Sequence, residues 1–110
     1  MKKFVFILVF MFFAGISFSQ KIFEVNYSYQ ADIKVFVVEY EYQADLKVFY
    51  VDYSYQADED GLWFLVDYEY QADKKVFFVE YEYQADLKIY KCDYEYQAGW
   101  KNNSKSYLLN

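Results

Sequence analysis

The chain has 110 residues, 56% hydrophobic and 26% aromatic, with eleven basic against seventeen acidic residues and a net charge of −6. Scattered lysines on an acidic background do not make the basic footprint that nucleic-acid phosphates require, so no nucleic-acid partner is expected. Histidine and arginine are absent, which removes the commonest general base, the catalytic triads and most zinc sites, and the chain reads as a non-enzyme.

Lys2 and Lys3 precede an apolar run from Phe4 to Ile16, followed by Ser17-Phe18-Ser19 with small residues at the positions a signal peptidase needs. Residues 1–19 therefore read as a secretory signal peptide, with the mature domain starting at Gln20. The run is shorter than the roughly 20 residues of a membrane-spanning helix, so no retained membrane anchor is expected and the product is periplasmic or secreted. Without Lys2 and Lys3, nine lysines face seventeen acids, a mature net charge near −8. Cys92 is the only cysteine, so no internal disulfide can brace the domain.

From Gln20 onward the chain repeats itself. Gln-Ala recurs at Gln30, Gln43, Gln56, Gln71, Gln84 and Gln97, thirteen residues apart except for fifteen between the third and fourth. The six units share the form apolar, Lys, Val or Ile, aromatic, any residue, Val, acid, Tyr, Ser or Glu, Tyr, Gln, Ala, Asp, which the third shows whole from Leu46 to Asp58. Phe49, Val51, Tyr53 and Tyr55 share one parity against Asp52, Ser54 and Gln56, which predicts a strand with an aromatic face. The face recurs as Phe36, Val38, Tyr40, Tyr42 and as Phe77, Val79, Tyr81, Tyr83. Val48 and Tyr50 add apolar residues on the opposite face, so the first half of each strand is expected to be covered on both sides.

An odd repeat length would invert that face at every unit, so the chain must bend once per repeat. Gln-Ala-Asp is the expected corner, with Asp closing an Asx-type turn on nearby amides. Gly61 falls in the lengthened connection Asp58-Glu59-Asp60-Gly61, and Gly99 replaces the Asp of the last unit. The layout is three units, an insertion and three units, followed by a polar tail over residues 101–110.

The repeated Ala-Asp-Leu-Lys-Val-Phe, the central Asp60-Gly61-Leu62-Trp63 and the terminal Gln97-Ala98-Gly99-Trp100-Lys101-Asn102 together resemble the 7(1) septoil knot family, small bacterial domains of unknown function. Tyrosine before each Gln-Ala departs from the polar residue expected there. The resemblance implies an all-β fold in which six short strands form a seven-crossing torus knot, with two interleaved circuits joined near Gly61. A small β-solenoid is the alternative arrangement of the same strands.

No residue stands out as catalytic, cofactor-binding or metal-ligating. Cys92 occupies the place of Val25, Val38, Val51, Val66 and Val79 and reads as a buried core residue. Carboxylates recur in every unit, so no pair among them is specific enough to suggest glycoside hydrolysis. Asp32, Asp45, Asp58, Asp73 and Asp86 could ring calcium, but lysines follow closely, as Lys47 follows Asp45, and the glycine-rich spacing of calcium repeats is missing. Trp63, Trp100 and the tyrosines are expected to fill the core; exposed, they would make a stacking surface for a glycan or protein ligand. The leading functional expectation is a structural, persistent domain outside the cytoplasm, and the alternative is an envelope or extracellular glycan- or protein-binding module.

Overall fold

Stretches such as Leu46-Lys47-Val48-Phe49-Tyr50 place β-branched and aromatic side chains along a pleated backbone, and each folds as a short strand. The computed structural model describes residues 20–109, and the expected signal peptide lies outside them. The strands are β1 (Lys21–Glu24), β2 (Ile33–Val37), β3 (Leu46–Tyr50), β4 (Leu62–Leu65), β5 (Lys74–Phe78), β6 (Leu87–Lys91) and the two-residue β7 (Gly99–Trp100). After each of β1 to β6 a 3₁₀ turn follows: Ser28–Gln30, Glu41–Gln43, Ser54–Gln56, Glu69–Gln71, Glu82–Gln84 and Glu95–Gln97.

The lateral order is β4-β1-β5-β2-β6-β3, and β3 pairs back to β4, closing a six-stranded barrel in which all six pairings are parallel. Strands of the first half (β1, β2, β3) alternate strictly with strands of the second (β4, β5, β6), so every ladder joins the two halves. A β-solenoid would instead pair each unit with the next one along the chain, and the alternation excludes it. The chain makes one circuit with every other place empty, crosses at residues 57–61, and fills those places on a second circuit.

Successive parallel strands need a return path, usually a dozen residues or more. Here the eight residues 38–45 suffice between β2 and β3, because the strands have only five residues. Each return passes outside the strand from the other half that lies between its ends: the turn Ser28–Gln30 packs on β5, Glu41–Gln43 on β6 and Glu95–Gln97 on β3. The bend therefore falls at Tyr-Ser-Tyr-Gln or Tyr-Glu-Tyr-Gln, just before the expected Gln-Ala-Asp corner. The glutamine holds it: Gln56 Oε1 accepts the Tyr53 amide at 3.0 Å, and Gln43, Gln84 and Gln97 do the same for Tyr40, Tyr81 and Tyr94.

The inward face has the parity opposite to the expected aromatic face. Ile22, Val35, Val48, Trp63, Val76 and Ile89, one per strand, form a fully buried central layer. The Trp63 indole N–H finds no acceptor among the described residues, so packing alone holds the ring. Below it Ile33, Leu46 and Leu87 are buried at the start of the strands. The tail proves less polar in role than in composition. Leu109 is buried against this core with Leu108 beside it, and Lys105 Nζ donates to the Asp86 carbonyl at 2.9 Å.

The repeat aspartates also act differently from the local turn expected. Asp32 donates its amide to the Lys75 carbonyl at 2.8 Å and accepts the Lys75 amide on Oδ2 at 2.9 Å. Asp73 makes the same two bonds with Lys21, Asp86 with Lys34, and Asp45 with Lys88. Each aspartate thus starts its own strand by clamping the neighbouring strand of the other half. Lys47, close to Asp45 in sequence, pairs instead with Glu41 at 3.2 Å, and Asp45 takes Lys105.

At the midpoint insertion, side-chain bonds on Asp60 stand where the other joints have a backbone clamp. Asp60 accepts Gln20 Nε2 at 2.7 Å and the Trp100 indole at 2.6 Å, and Gln20 Oε1 accepts the Gly61 amide at 3.0 Å. β4 pairs with the upper end of β3, at Phe49 and Tyr50, while antiparallel β7 covers the lower end, at Leu46 and Lys47. Gly61 has φ +95°, and an added Cβ would lie 2.6 Å from the Lys47 carbonyl oxygen.

Two outcomes are expected in urea unfolding. Asp45 is buried and also receives Asn102 Nδ2 and Lys105 Nζ, so Asp45→Ala should cost about 2–4 kcal/mol, against about 1 kcal/mol for the exposed Asp73→Ala. Gly61→Ala should cost about 2 kcal/mol or more, and Gly99→Ala distinctly less. Gly99 (φ +143°) has open space where its Cβ would go, so only the backbone strain remains.

Candidate functional site

Because the strands end at Tyr50 and its equivalents, the two tyrosines of each unit leave the sheet and sit in the return segment. The backbone of Tyr53 is extended (φ −131°, ψ 144°) and the 3₁₀ turn begins at the next residue, which brings the rings of Tyr53 and Tyr55 onto one side. They stack with centroids 5.7 Å apart and planes 11° from parallel. The same stack forms at Tyr27–Tyr29, Tyr40–Tyr42, Tyr68–Tyr70, Tyr81–Tyr83 and Tyr94–Tyr96, at 5.7–5.9 Å and 14–18°. Offset stacking at this separation suits aromatic quadrupoles.

These rings were expected in the core and are exposed. Tyr53 is 59% accessible and Tyr55 76%, and the outer tyrosines of the other pairs range up to 84%. Burial of the strand's inner face leaves no interior place for them, and the turn carries them outward. The result is a belt of six tyrosine pairs around the barrel. Between the two rings of a pair lies a serine or glutamate. Glu41, Glu69 and Glu82 reach the strand lysines Lys47, Lys75 and Lys88 at 3.2–3.3 Å, which tethers three of the turns to the barrel wall. The tryptophans take no part in the belt: Trp63 is core, as expected, and Trp100 is half-buried on Asp60.

Cys92 is half-buried rather than buried. Its amide donates to the Val48 carbonyl, as the equivalent valines do to their own partners, and its Sγ lies 3.4 Å from the same oxygen. Burial pushes the thiol pKa up, which keeps it protonated and a poor nucleophile at neutral pH. The Oδ2 atoms of Asp32, Asp45, Asp73 and Asp86 are committed to backbone amides. Among the described residues no group of three or more acidic, cysteine or histidine side chains is placed to hold a metal ion.

The tyrosine pairs are evident in the sequence, but strand parity assigns them to the wrong side of the barrel wall. The available signal was the length of the polar-aromatic stretch: a strand running from Ile33 through Tyr42 leaves only Gln43, Ala44 and Asp45 for the return to Leu46.

Comparison with known proteins agrees with this architecture. No curated protein and no solved structure matches the chain. Residues 19–101 match the 7(1) septoil knot domain, which spans all six strands, both circuits and β7. The chain belongs to the 7(1) septoil knot domain family.

Proposed function

We propose that this domain, exported by its signal peptide, is a binding module for a repetitive, uncharged glycan of the cell envelope or extracellular space. The observation that carries this reading is the outward stacking of all six tyrosine pairs. A stacked pair is a flat, amphipathic platform with a polar hydroxyl edge, suited to the C–H faces and hydroxyls of a sugar ring. Tyrosine loses little conformational entropy on binding, and the internal stack reduces the loss further. The mature net charge near −8 disfavours anionic polymers at the same surface. One platform is a weak site; six on a rigid ring can engage a polymer together, and such multivalency raises apparent affinity by about 10²–10⁴.

The interleaving of the halves supports a second reading, persistence outside the cytoplasm, which is compatible with the first. Among the described residues no strand ladder lies within one half, so neither half can leave without opening the other, and a high unfolding barrier follows.

The binding reading is tested by incubating the mature protein with insoluble cellulose, chitin and β-1,3-glucan, all uncharged. Retention is expected on at least one, and replacing Tyr29, Tyr42, Tyr55, Tyr70, Tyr83 and Tyr96 together by alanine should abolish it while leaving the circular dichroism spectrum of the barrel intact. A single replacement should weaken it only a few-fold. Absence of retention on all three, or retention by the six-fold variant, would overturn the reading. For persistence, the unfolding half-life in concentrated urea should be hours or longer, and unfolding within seconds would count against it.

A further inference from the structure

The unit leaves one strand position unspecified, and in the structure that position is a single place. The last residues of the six strands, Glu24, Val37, Tyr50, Leu65, Phe78 and Lys91, all line one cavity of about 670 Å³ at the mouth of the barrel. Its floor includes Ile22 of the buried central layer. The volume lies within the roughly 300–1,000 Å³ of small-molecule sites.

The mouth is where the six-fold pattern breaks down. The central layer is Ile, Val, Val, Trp, Val, Ile, and the outer face is mostly lysine and phenylalanine. The turns repeat Tyr, Gln and Ala in every unit. At the mouth the six units carry six different residues. The lower layer varies too, but there Gln20 and Gly61 build the joint between the circuits and Leu109 packs against the core. A uniform mouth would close the barrel equally well. Unlike side chains converging on one cavity give it a direction, which a shaped ligand can read.

The chemistry of the ring follows from strand order. β1 and β6 stand opposite each other in the barrel, so Glu24 and Lys91 mark opposite sides of the mouth, with apolar Val37, Leu65 and Phe78 among the positions between. Neither charge makes an ion pair among the described residues. Lys91 Nζ lies 5.2 Å from the centre of the Tyr50 ring, a cation–π contact that sets the ammonium over the mouth. Burial, with a smaller effect from Glu24, pushes the Tyr50 hydroxyl up to about 12, so at neutral pH it can donate a hydrogen bond.

We propose that the barrel mouth binds a small zwitterion with an apolar body, of the size of an apolar di- or tripeptide. Its ammonium lies toward Glu24, its carboxylate toward Lys91, and its side chains rest on the apolar positions between. This site is independent of the tyrosine belt.

The test is calorimetric titration of the mature protein with Leu-Leu and Leu-Leu-Leu, beside their N-acetylated and C-amidated forms and a medium-chain fatty acid. Binding of the free peptides is expected, weakened at least ten-fold by either block. In E24Q the acetyl block should cost nothing further, and in K91Q the amide block should cost nothing further. Both substitutions lie on the exposed rim, and an unchanged thermal midpoint verifies the fold. Equal binding of blocked and free peptides, binding of the fatty acid alone, no binding of any probe, or a dimer dissociated by rim variants would each overturn the proposal.

Discussion

Everything in this domain depends on one paired interaction. A repeat aspartate gives its amide to, and takes an amide from, a lysine backbone of the other half, as Asp32 does with Lys75 and Asp86 with Lys34. A hydrogen bond to a charged acceptor is worth about 1.5–3 kcal/mol. Its greater importance is register, because β2, β3, β5 and β6 are each fixed at the residue before their start against a neighbour 43 or 52 positions away. With no disulfide, no proline and almost no glycine, the two circuits are held by each other.

This arrangement separates two kinds of surface. Around the waist the units agree, and agreement gives the belt of stacked tyrosines, a repeated platform suited to a repeated ligand. At the mouth the units disagree, and disagreement gives a single asymmetric bowl. Symmetric scaffolds are poor places for a unique site unless the symmetry is broken locally, and the strand-end position is where this chain breaks it.

The six repeats, the all-β class and the special role of the midpoint were legible in the sequence from spacing and parity, and the family from its resemblance in the motifs at Asp60-Gly61-Leu62-Trp63 and Gln97-Ala98-Gly99-Trp100. The inward parity was not. Phe49, Val51, Tyr53 and Tyr55 alternate as a strand should, and nothing local says that the strand stops at Tyr50. It stops because a closed parallel barrel needs eight residues to return outside the intervening strand. That tertiary demand sends Tyr53 and Tyr55 out and leaves Leu46 and Val48 to fill the core. The aspartate clamps were hidden for the same reason: a bond between Asp45 and Lys88 has no local signature. The mouth was visible only as a position without a rule, and it gained meaning once the barrel gathered six such positions together.

Native-state hydrogen exchange tests the interleaved architecture most directly. The strand-end amides of Val25 and Val38 bond to Val76 and Ile89, and those of Val66 and Val79 bond to Ile22 and Val35. If the circuits hold each other, these four amides must exchange through one global opening, with the same free energy and the same dependence on denaturant. Earlier exchange of Val66 and Val79 as a group, with Val25 and Val38 still protected, would mean that the halves open separately and would contradict the account.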